Sequence, residues 1–398
     1  MARTTRRRSP GEGGAYSYKT AAGLRWYWKA PISQPDGTTK IKTKSGFLIK
    51  EDALTAMQDA MVSGRKGEYV EPSKRTVGSW FDEWLDTLRL ADSTMASYRR
   101  TVRLHIEPHI GDELLSRLTS SRLTRLYREL ERGGLGARSV RYVHVVLGAA
   151  LAAAVEAEPP LLLKSPAVKA TPPSRKQAQP AEIIPWNAEQ LKTFMGWSAG
   201  SSPHHAAWRV LGYTGARRGE VLALRWRHVD LDAATISIQK TVGIVHVKGD
   251  SASGKPVESK PKTDKSRRVV DLDPATVAVL KSWRSERASL GLHLVRPDSL
   301  VFSDLDGEHL HPERFSRTWQ QTQARCRKAH PDLPQIRMHD LRHTHATLLI
   351  AAGVPIKVVS ERLGHSSINV TLGVYGHVMP GDQKRAAVKF AELVGEAI

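Results

Sequence analysis

Near its start the chain alternates. The runs "AYSYKT" and "LRWYWKAPI" interleave aromatic with polar or charged positions on either side of "AAG". "PDGTT" then turns the chain into "KIKTKSGFL". A period of two marks half-buried strands, so these runs predict a small three-stranded sheet. "KEDALTAMQDAMVSG" changes to helical spacing and predicts one helix packed with it. After a linker at "YVEPSKR" (69–75) come four helical patterns. Val77, Trp80, Phe81, Trp84, Leu85 and Leu88 share one face of the first. "DSTMASYRRTVRLHI" starts at a Ser/Asp cap and is expected to close before Pro108. "SSRLTRLYRELERGG" opens on serine and stops at paired glycines, and "ARSVRYVHVVLGAALAAAVEAEPP" runs to Pro159 and Pro160. "KSPAVKATPPSRKQAQPAEIIP" (164–185) has little periodicity and predicts a second linker, long enough to let two domains close around something. Beyond it helix and strand patterns mix. The expected fold is multidomain, mainly α with small β elements. It has a sheet-plus-helix domain at 1–70, a helical domain at 75–163, a linker at 164–185 and a mixed α+β domain at 186–398.

Length agrees with that division, since 398 residues exceed one core of usual size. Charge adds more. With 60 Lys+Arg against 40 Asp+Glu the formal net charge is +20, which points to a polyanionic partner, nucleic acid before membrane. The stretch "YVHVVLGAALAAAV" is too short and alanine-rich to be expected to span a bilayer, and "MARTTRRRSPGEGG" lacks the apolar run of a secretory signal. Cys326 is the single cysteine, which excludes an intrachain disulfide and fits a reducing cytoplasm. Residues 1–70 carry thirteen Lys+Arg and six Asp+Glu, a net of +7. Arg25, Lys29, Lys40 and Lys42 on the predicted strands are therefore candidate DNA contacts, because strands can enter a groove. In the helical domain Arg99, Arg100, Arg103, Arg138 and Arg141 are candidates for phosphate contact, with Arg122 and Arg125 also available. In each case the alternative is a solvated face.

Four cationic stretches and one tyrosine carry the candidate chemistry. In "GYTGARRGEVLALRW" Thr214 and Gly215 are expected to cap a helix, with Arg217 and Arg218 in its first turn. Cations there oppose the helix dipole unless an anion is near; otherwise they form a surface pair tied to Glu220. "SKPKTDKSRRVVDL" is a basic loop between strand-like runs, with Lys262 and Lys265 near its tip. "MHDLRHTHATLLIAAG" puts His339 and Arg342 on one helix face, with Leu341, His345 and Leu348 on an inward stripe. His339 and His343 imitate the spacing of a zinc helix, but Asp340 stands where a glutamate is needed, and Arg342 opposes a dication. No metal or other cofactor is expected. "ERLGHSSINVTLGVYGHV" places His365 between two helices and Tyr375 about two turns into the second. Two arginines, a lysine and two histidines could converge on a dianionic transition state that a tyrosine attacks. A phenol with a pKa near 10 needs a cationic pocket or an adjacent base to become a nucleophile.

"TGARRGE", "PKTDKSRR", "HDLRHTHAT", "LGHSS" and "TLGVYGHV" occur in the order found in tyrosine recombinases of the phage-integrase family, and the chain resembles that family throughout. It looks like an integrase of a phage or integrative element, with an arm-type DNA-binding domain, a helical, SAM-like core-binding domain and a catalytic domain. The resemblance implies that Arg217 and Arg342 clamp the scissile phosphate, with His365 as a third donor. Lys262 would protonate the leaving 5′ oxygen, with Lys265 as the alternative. His339 would handle the tyrosine proton, Glu220 would help hold the pocket, and Tyr375 would form a 3′-phosphotyrosyl bond. His343 is an extra imidazole with an expected supporting or surface position. The resemblance further implies double-stranded DNA attachment sites, four protomers acting through a Holliday junction, and in some systems a DNA-bending protein and a directionality factor. Ala387, Val388, Phe390, Ala391 and Val394 form an apolar stripe beyond the tyrosine, available to a neighbouring subunit or to its own domain. Two rival readings are a type IB topoisomerase-like relaxing enzyme and a non-catalytic DNA-binding regulator. The first does not need the 1–70 segment, and the second leaves the spaced Arg–Lys–His–Arg–His–Tyr series as coincidence.

Overall fold

The computed structural model describes residues 13–33, 38–66, 74–179, 184–245, 254–259, 266–375 and 382–395. Lys262 and Lys265 lie outside the described residues. The chain divides into two compact units, Met1–Pro180 and Ala181–Ile398.

The first unit opens with an antiparallel sheet of β1 (Gly14–Thr20), β2 (Gly23–Ser33) and β3 (Thr39–Phe47), in that order. Helix α1 (Lys50–Arg65) covers one face, where Trp28, Ala30 and Ile32 are buried with Met57. The register sorts the expected DNA-contacting cations onto different sides. Lys40 and Lys42 pair with Ile32 and Ala30 and so stand on the side of the helix, whereas Arg25 and Lys29 pair with Tyr18 and Gly14 on the open side. Tyr16, Tyr18 and Tyr27 cluster on that open side, with ring centroids 5.4 and 6.0 Å apart.

The helical part comprises α2 (Val77–Thr87), α3 (Asp92–Thr101), α4 (Glu107–Ile110), α5 (Ser120–Arg132) and α6 (Ala137–Glu156). Pro108 does not stop its helix as expected. The turn widens to π geometry over Val102–Ile106 and the backbone runs on through α4. A widened turn relieves the clash and the missing N–H that proline brings to a regular helix. α6 is, among the described residues, the one helix long and apolar enough to cross a membrane by length and composition. Its Val140, Val143, Val146, Leu147, Ala150, Leu151 and Ala154 form the helical core, and Trp80 Nε1 donates to the Ala150 carbonyl at 2.8 Å.

The expected linker at 164–185 is largely part of this unit. Ala167 and Ala170 are buried in its core, Thr171 N donates to Thr124 Oγ1 at 3.0 Å, and Arg141 Nη1 donates to the Pro173 carbonyl at 2.6 Å. Arg141 is thereby committed to holding the chain. Arg99 bonds Asp86 at 2.8 Å, and Arg122 bonds Glu113 and the His109 carbonyl; Arg100, Arg103 and Arg138 are exposed.

The second unit has α7 (Ala188–Ser201), α8 (His205–Thr214), α9 (Arg218–Leu222), β4 (Val229–Asp230), β5 (Thr235–Ile238), β6 (Thr241–Val245), β7 (Lys255–Ser259) and β8 (Arg268–Asp271). After them come α10 (Pro274–Leu290), α11 (Pro312–Ala329), α12 (Asp340–Ala351), α13 (Ile356–Leu363), α14 (Ile368–Tyr375) and α15 (Asp382–Leu393). Strands β4, β5 and β8 make one sheet, and β6 pairs with β7. The core centres on Trp186, Phe194, Trp208, Phe315 and Trp319, with Trp208 and Phe315 centroids 4.7 Å apart. Trp186 also ties the unit's first residues to α12, its backbone N–H donating to Thr344 Oγ1 at 3.1 Å. Buried polar groups satisfied in this way fix α12 rather than weaken the core.

Candidate active site

Two glycines set the backbone of the site. α8 ends at Gly215 and α13 at Gly364, both left-handed with φ of 65° and 67°. Gly215 therefore closes the helix before it and does not open the next, a correction to the sequence expectation; Arg217 is the residue just before α9. A Cβ on Gly215 would lie 2.7 Å from Leu363 Cδ2 and 2.8 Å from His345 Cδ2, so the close approach of α12 and α13 requires glycine. The carbonyl each glycine leaves exposed meets an arginine. Arg342 Nη1 donates to Gly215 O at 2.9 Å, and Arg217 Nη2 approaches Gly364 O at 3.5 Å.

Glu220 links the cations. Its Oε1 accepts from Arg217 Nη1 at 2.8 Å, and its Oε2 from the Arg217 backbone N–H at 2.8 Å and from Arg268 Nη2 at 3.0 Å. Burial pushes this carboxyl up, but the Arg268 hydrogen bond and the charges of Arg268 and Arg217 outweigh it and hold the group below its ordinary range. Arg342 is left undercompensated. It is 3% exposed, and its Nη2 is buried with no hydrogen-bond partner among the described residues. Burial, then the neighbouring Arg217, pushes its pKa down to about 9.

The histidines share this environment. His365 Nδ1 bonds Thr371 Oγ1 at 2.7 Å, and burial with Arg342, Arg217 and Arg268 pushes its pKa down to about 4. Protein crowding, then His343, Arg342 and Arg217, does the same to His339, also to about 4, although its ring keeps contact with solvent. Tyr375 is 3% exposed against Ala346, Ile350, Val359 and Leu363. Its hydroxyl lies 2.7 Å from His343 Nδ1, and burial pushes the phenol up to about 12 despite the pull of Arg342. His339 meets His343 edge to face, with centroids 5.2 Å apart.

Arg217, Glu220, His339, Arg342, His365 and Tyr375 thus come together around one centre. Arg218 turns away, donating to the Pro312 carbonyl and Ser316. Sequence reasoning missed Arg268 and the contact of His343 with the phenol. Strand alternation could have found the first, since Arg268 shares the side of buried Val270; nothing in the spacing signals a pair 32 residues apart. Among the described residues no group of three or more His, Cys, Asp or Glu is placed to hold a metal ion. A separate cavity of about 330 Å³, lined by Trp283, Arg287 and Phe302 among others, contains none of these residues.

Residues 186–381 match the phage integrase family, and residues 76–130 match the phage integrase N-terminal SAM-like domain. The chain belongs to the phage integrase family. As a tyrosine recombinase it is a site-specific enzyme of DNA strand cleavage and transfer that integrates or excises mobile elements. It is similar to the ICEBs1 integrase of Bacillus subtilis, 28% identical over 368 residues that cover 89% of this chain and 93% of that one. It is also 27% identical to a XerC-like tyrosine recombinase of Caldanaerobacter subterraneus, over 86% of this chain and 90% of the relative. The recombinase fold matches that of the Tn1549 transposon integrase solved with transposon right end DNA, at a TM-score of 0.66 and 18% identity, covering 79% of this chain and 98% of that one.

Proposed function

We propose that this recombinase breaks and rejoins double-stranded DNA at attachment sites by forming a 3′-phosphotyrosyl bond through Tyr375. One observation carries the reading: a buried arginine, Arg342, whose Nη2 has no partner among the described residues, lies in a cluster that also holds Arg217, His365 and the phenol. An orphaned buried guanidinium is costly unless an anion completes it. A phosphodiester supplies that anion. Arg217 and Arg342 hold the non-bridging oxygens, with Glu220 and Arg268 fixing Arg217. His365, one ring nitrogen held by Thr371, offers the other to the phosphate. The Tyr375 oxygen attacks phosphorus and the P–O5′ bond breaks, with the 5′ oxygen taking a proton from Lys262 or, failing that, Lys265. The phosphotyrosyl bond keeps the energy of the diester, so rejoining needs no ATP, and the side chains supply the charge that a metal would otherwise bring.

The same reading extends to the rest of the chain. The solved Tn1549 integrase complex contains DNA, and double-stranded DNA is the proposed partner here, acted on in a bacterial host. The open sheet face with Arg25 and Lys29, and Arg100, Arg103 and Arg138 on the helices, are the proposed DNA contacts. A homotetramer is the proposed working assembly, with the exposed stripe of α15 docking on a neighbouring copy, and a bending protein and directionality factor as accessory partners.

The test is a nicked suicide substrate carrying the attachment core. A covalent protein–DNA adduct should accumulate, survive EDTA and vanish in Tyr375→Phe while DNA binding persists. No adduct on the correct site, or relaxation of supercoiled plasmid irrespective of sequence, would overturn the reading.

A further inference from the structure

The family resemblance gives the nucleophile's proton to His339, but that ring does not reach the phenol. We propose that His343 is a further catalytic residue, which accepts the Tyr375 proton as the phenol attacks and returns it when the phosphotyrosyl bond is resealed. This rests on the reading of Tyr375 as the nucleophile. His343 Nδ1 lies 2.7 Å from the hydroxyl, the single hydrogen-bond partner of that oxygen among the described residues, and the two rings are 5.6 Å apart at their centroids. A general base must stand within hydrogen-bond reach of the proton it takes, and His343 does.

Its surroundings suit the task. Burial is the largest influence on its ring and lowers the pKa. Asp340 favours a charged imidazole, while Arg342 on α12 and Arg337 just before that helix oppose one, and the net effect leaves a neutral ring at pH 7. From α14 the facing group is Tyr375 itself, and His365, between α13 and α14, and His339, just before α12, also interact with it. Accepting the proton requires the Nε2–H tautomer. The four-residue spacing sets His339 edge to face against His343, where it can relay or orient but makes no hydrogen bond to the hydroxyl. Proton bookkeeping is complete: Oη–H breaks to Nδ1, Oη–P forms, the P–O5′ pair leaves with O5′, and a separate acid protonates that oxygen. A phosphate entering beside Arg342 strengthens the imidazolium that results.

Single-turnover cleavage of the suicide substrate tests this in His343→Gln, which can hold the hydroxyl but cannot take its proton. His343→Asn serves as a second variant in case the first does not fold. Adduct formation should slow by about 10²–10⁴ with DNA binding unchanged. Placing ortho-fluorinated tyrosine at 375, whose phenol ionises well below the usual value near 10, should recover most of that loss in the His343 variants. It should recover little in Arg342→Lys. Wild-type rates in the His343 variants overturn the proposal. So does a defect that fluorination leaves untouched, or recovery confined to His339→Gln. Failure of the underlying reading looks different: the wild type itself then forms no adduct.

Discussion

Arg342 and His345 sit three residues apart on α12 and differ in what their burial does. Arg342 donates once to Gly215, and its second terminal nitrogen has no partner among the described residues and is available to an anion. A lysine has one ammonium for both tasks, so Arg342→Lys should lower single-turnover cleavage by about 10²–10³ while leaving DNA affinity within a few fold. Equal losses in binding and cleavage would count against a transition-state role. His345 is structural. Arg362 Nε donates to its Nε2 at 3.0 Å, which leaves Nδ1–H to donate to the Gly212 carbonyl at 3.1 Å. Burial first, then Arg362, pushes its pKa down to about 3. The folded pKa lies below the unfolded one, so the neutral ring's contribution is whole above pH 6.5 and is lost as pH falls from 6.5 towards 3, by about 1.4 kcal/mol per pH unit. Urea titrations from pH 7 to 4 should show that slope in the wild type and a shallower one in His345→Gln. Motif spacing made Arg217, His339, Arg342, His365 and Tyr375 legible, because each stands beside a helix cap or on a periodic face. Arg268 was missed although strand alternation places it on the side of buried Val270, and the link of His343 to Tyr375 was not legible, since that pair is distant in sequence and exists only after folding.

Helices and strands carry these side chains, and their ends matter more than their middles. Gly215 and Gly364 terminate α8 and α13, and each turns a carbonyl toward an arginine. Gly215→Ala would force an L side chain into the left-handed region at about 1–2 kcal/mol and press on Leu363 and His345. The expected outcome is a lower melting temperature together with a cleavage defect larger than the binding defect. Unchanged stability with unchanged cleavage would show that the contact relaxes freely. Hydrophobic periodicity located the helices because a buried stripe such as Val77, Trp80, Phe81 and Trp84 is a property of the local sequence. It misplaced the stop at Pro108, where a π-widened turn absorbs the proline, and it read 164–185 as linker although Ala167 and Ala170 within it are core residues. Two alanines among prolines and lysines make too small an apolar signal to read. β7 was also missed, its cross-strand partner β6 being what makes it a strand.

Across the whole chain, net charge announced a nucleic-acid partner without saying which surface meets it. The sheet register divides the N-terminal cations between two faces, leaving Tyr16, Tyr18 and Tyr27 with Arg25 and Lys29 on the uncovered one. Removing residues 1–73 should therefore spare cleavage of a core site and abolish integrative recombination; integration at wild-type levels would remove that role. The opposite end makes a separate demand. On α15, Val388 is 59% exposed and Phe390 67%, with Leu393 and, just past the helix, Val394 also open, and burying one such side chain is worth about 1.5–3 kcal/mol. In the proposed assembly a neighbouring copy aligned on the same DNA covers this stripe, which would then serve assembly and not the chemistry of one protomer. Phe390→Asp should leave the first suicide-substrate cleavage of an isolated half-site near the wild-type rate, since Tyr375 and Arg342 are untouched. Formation and resolution of the four-armed junction should fall at least tenfold, read by two-dimensional gels of synapsed sites. If Phe390→Asp instead lowers the melting temperature of the free protein and slows half-site cleavage in proportion, α15 packs on its own subunit, and assembly must be built from another surface.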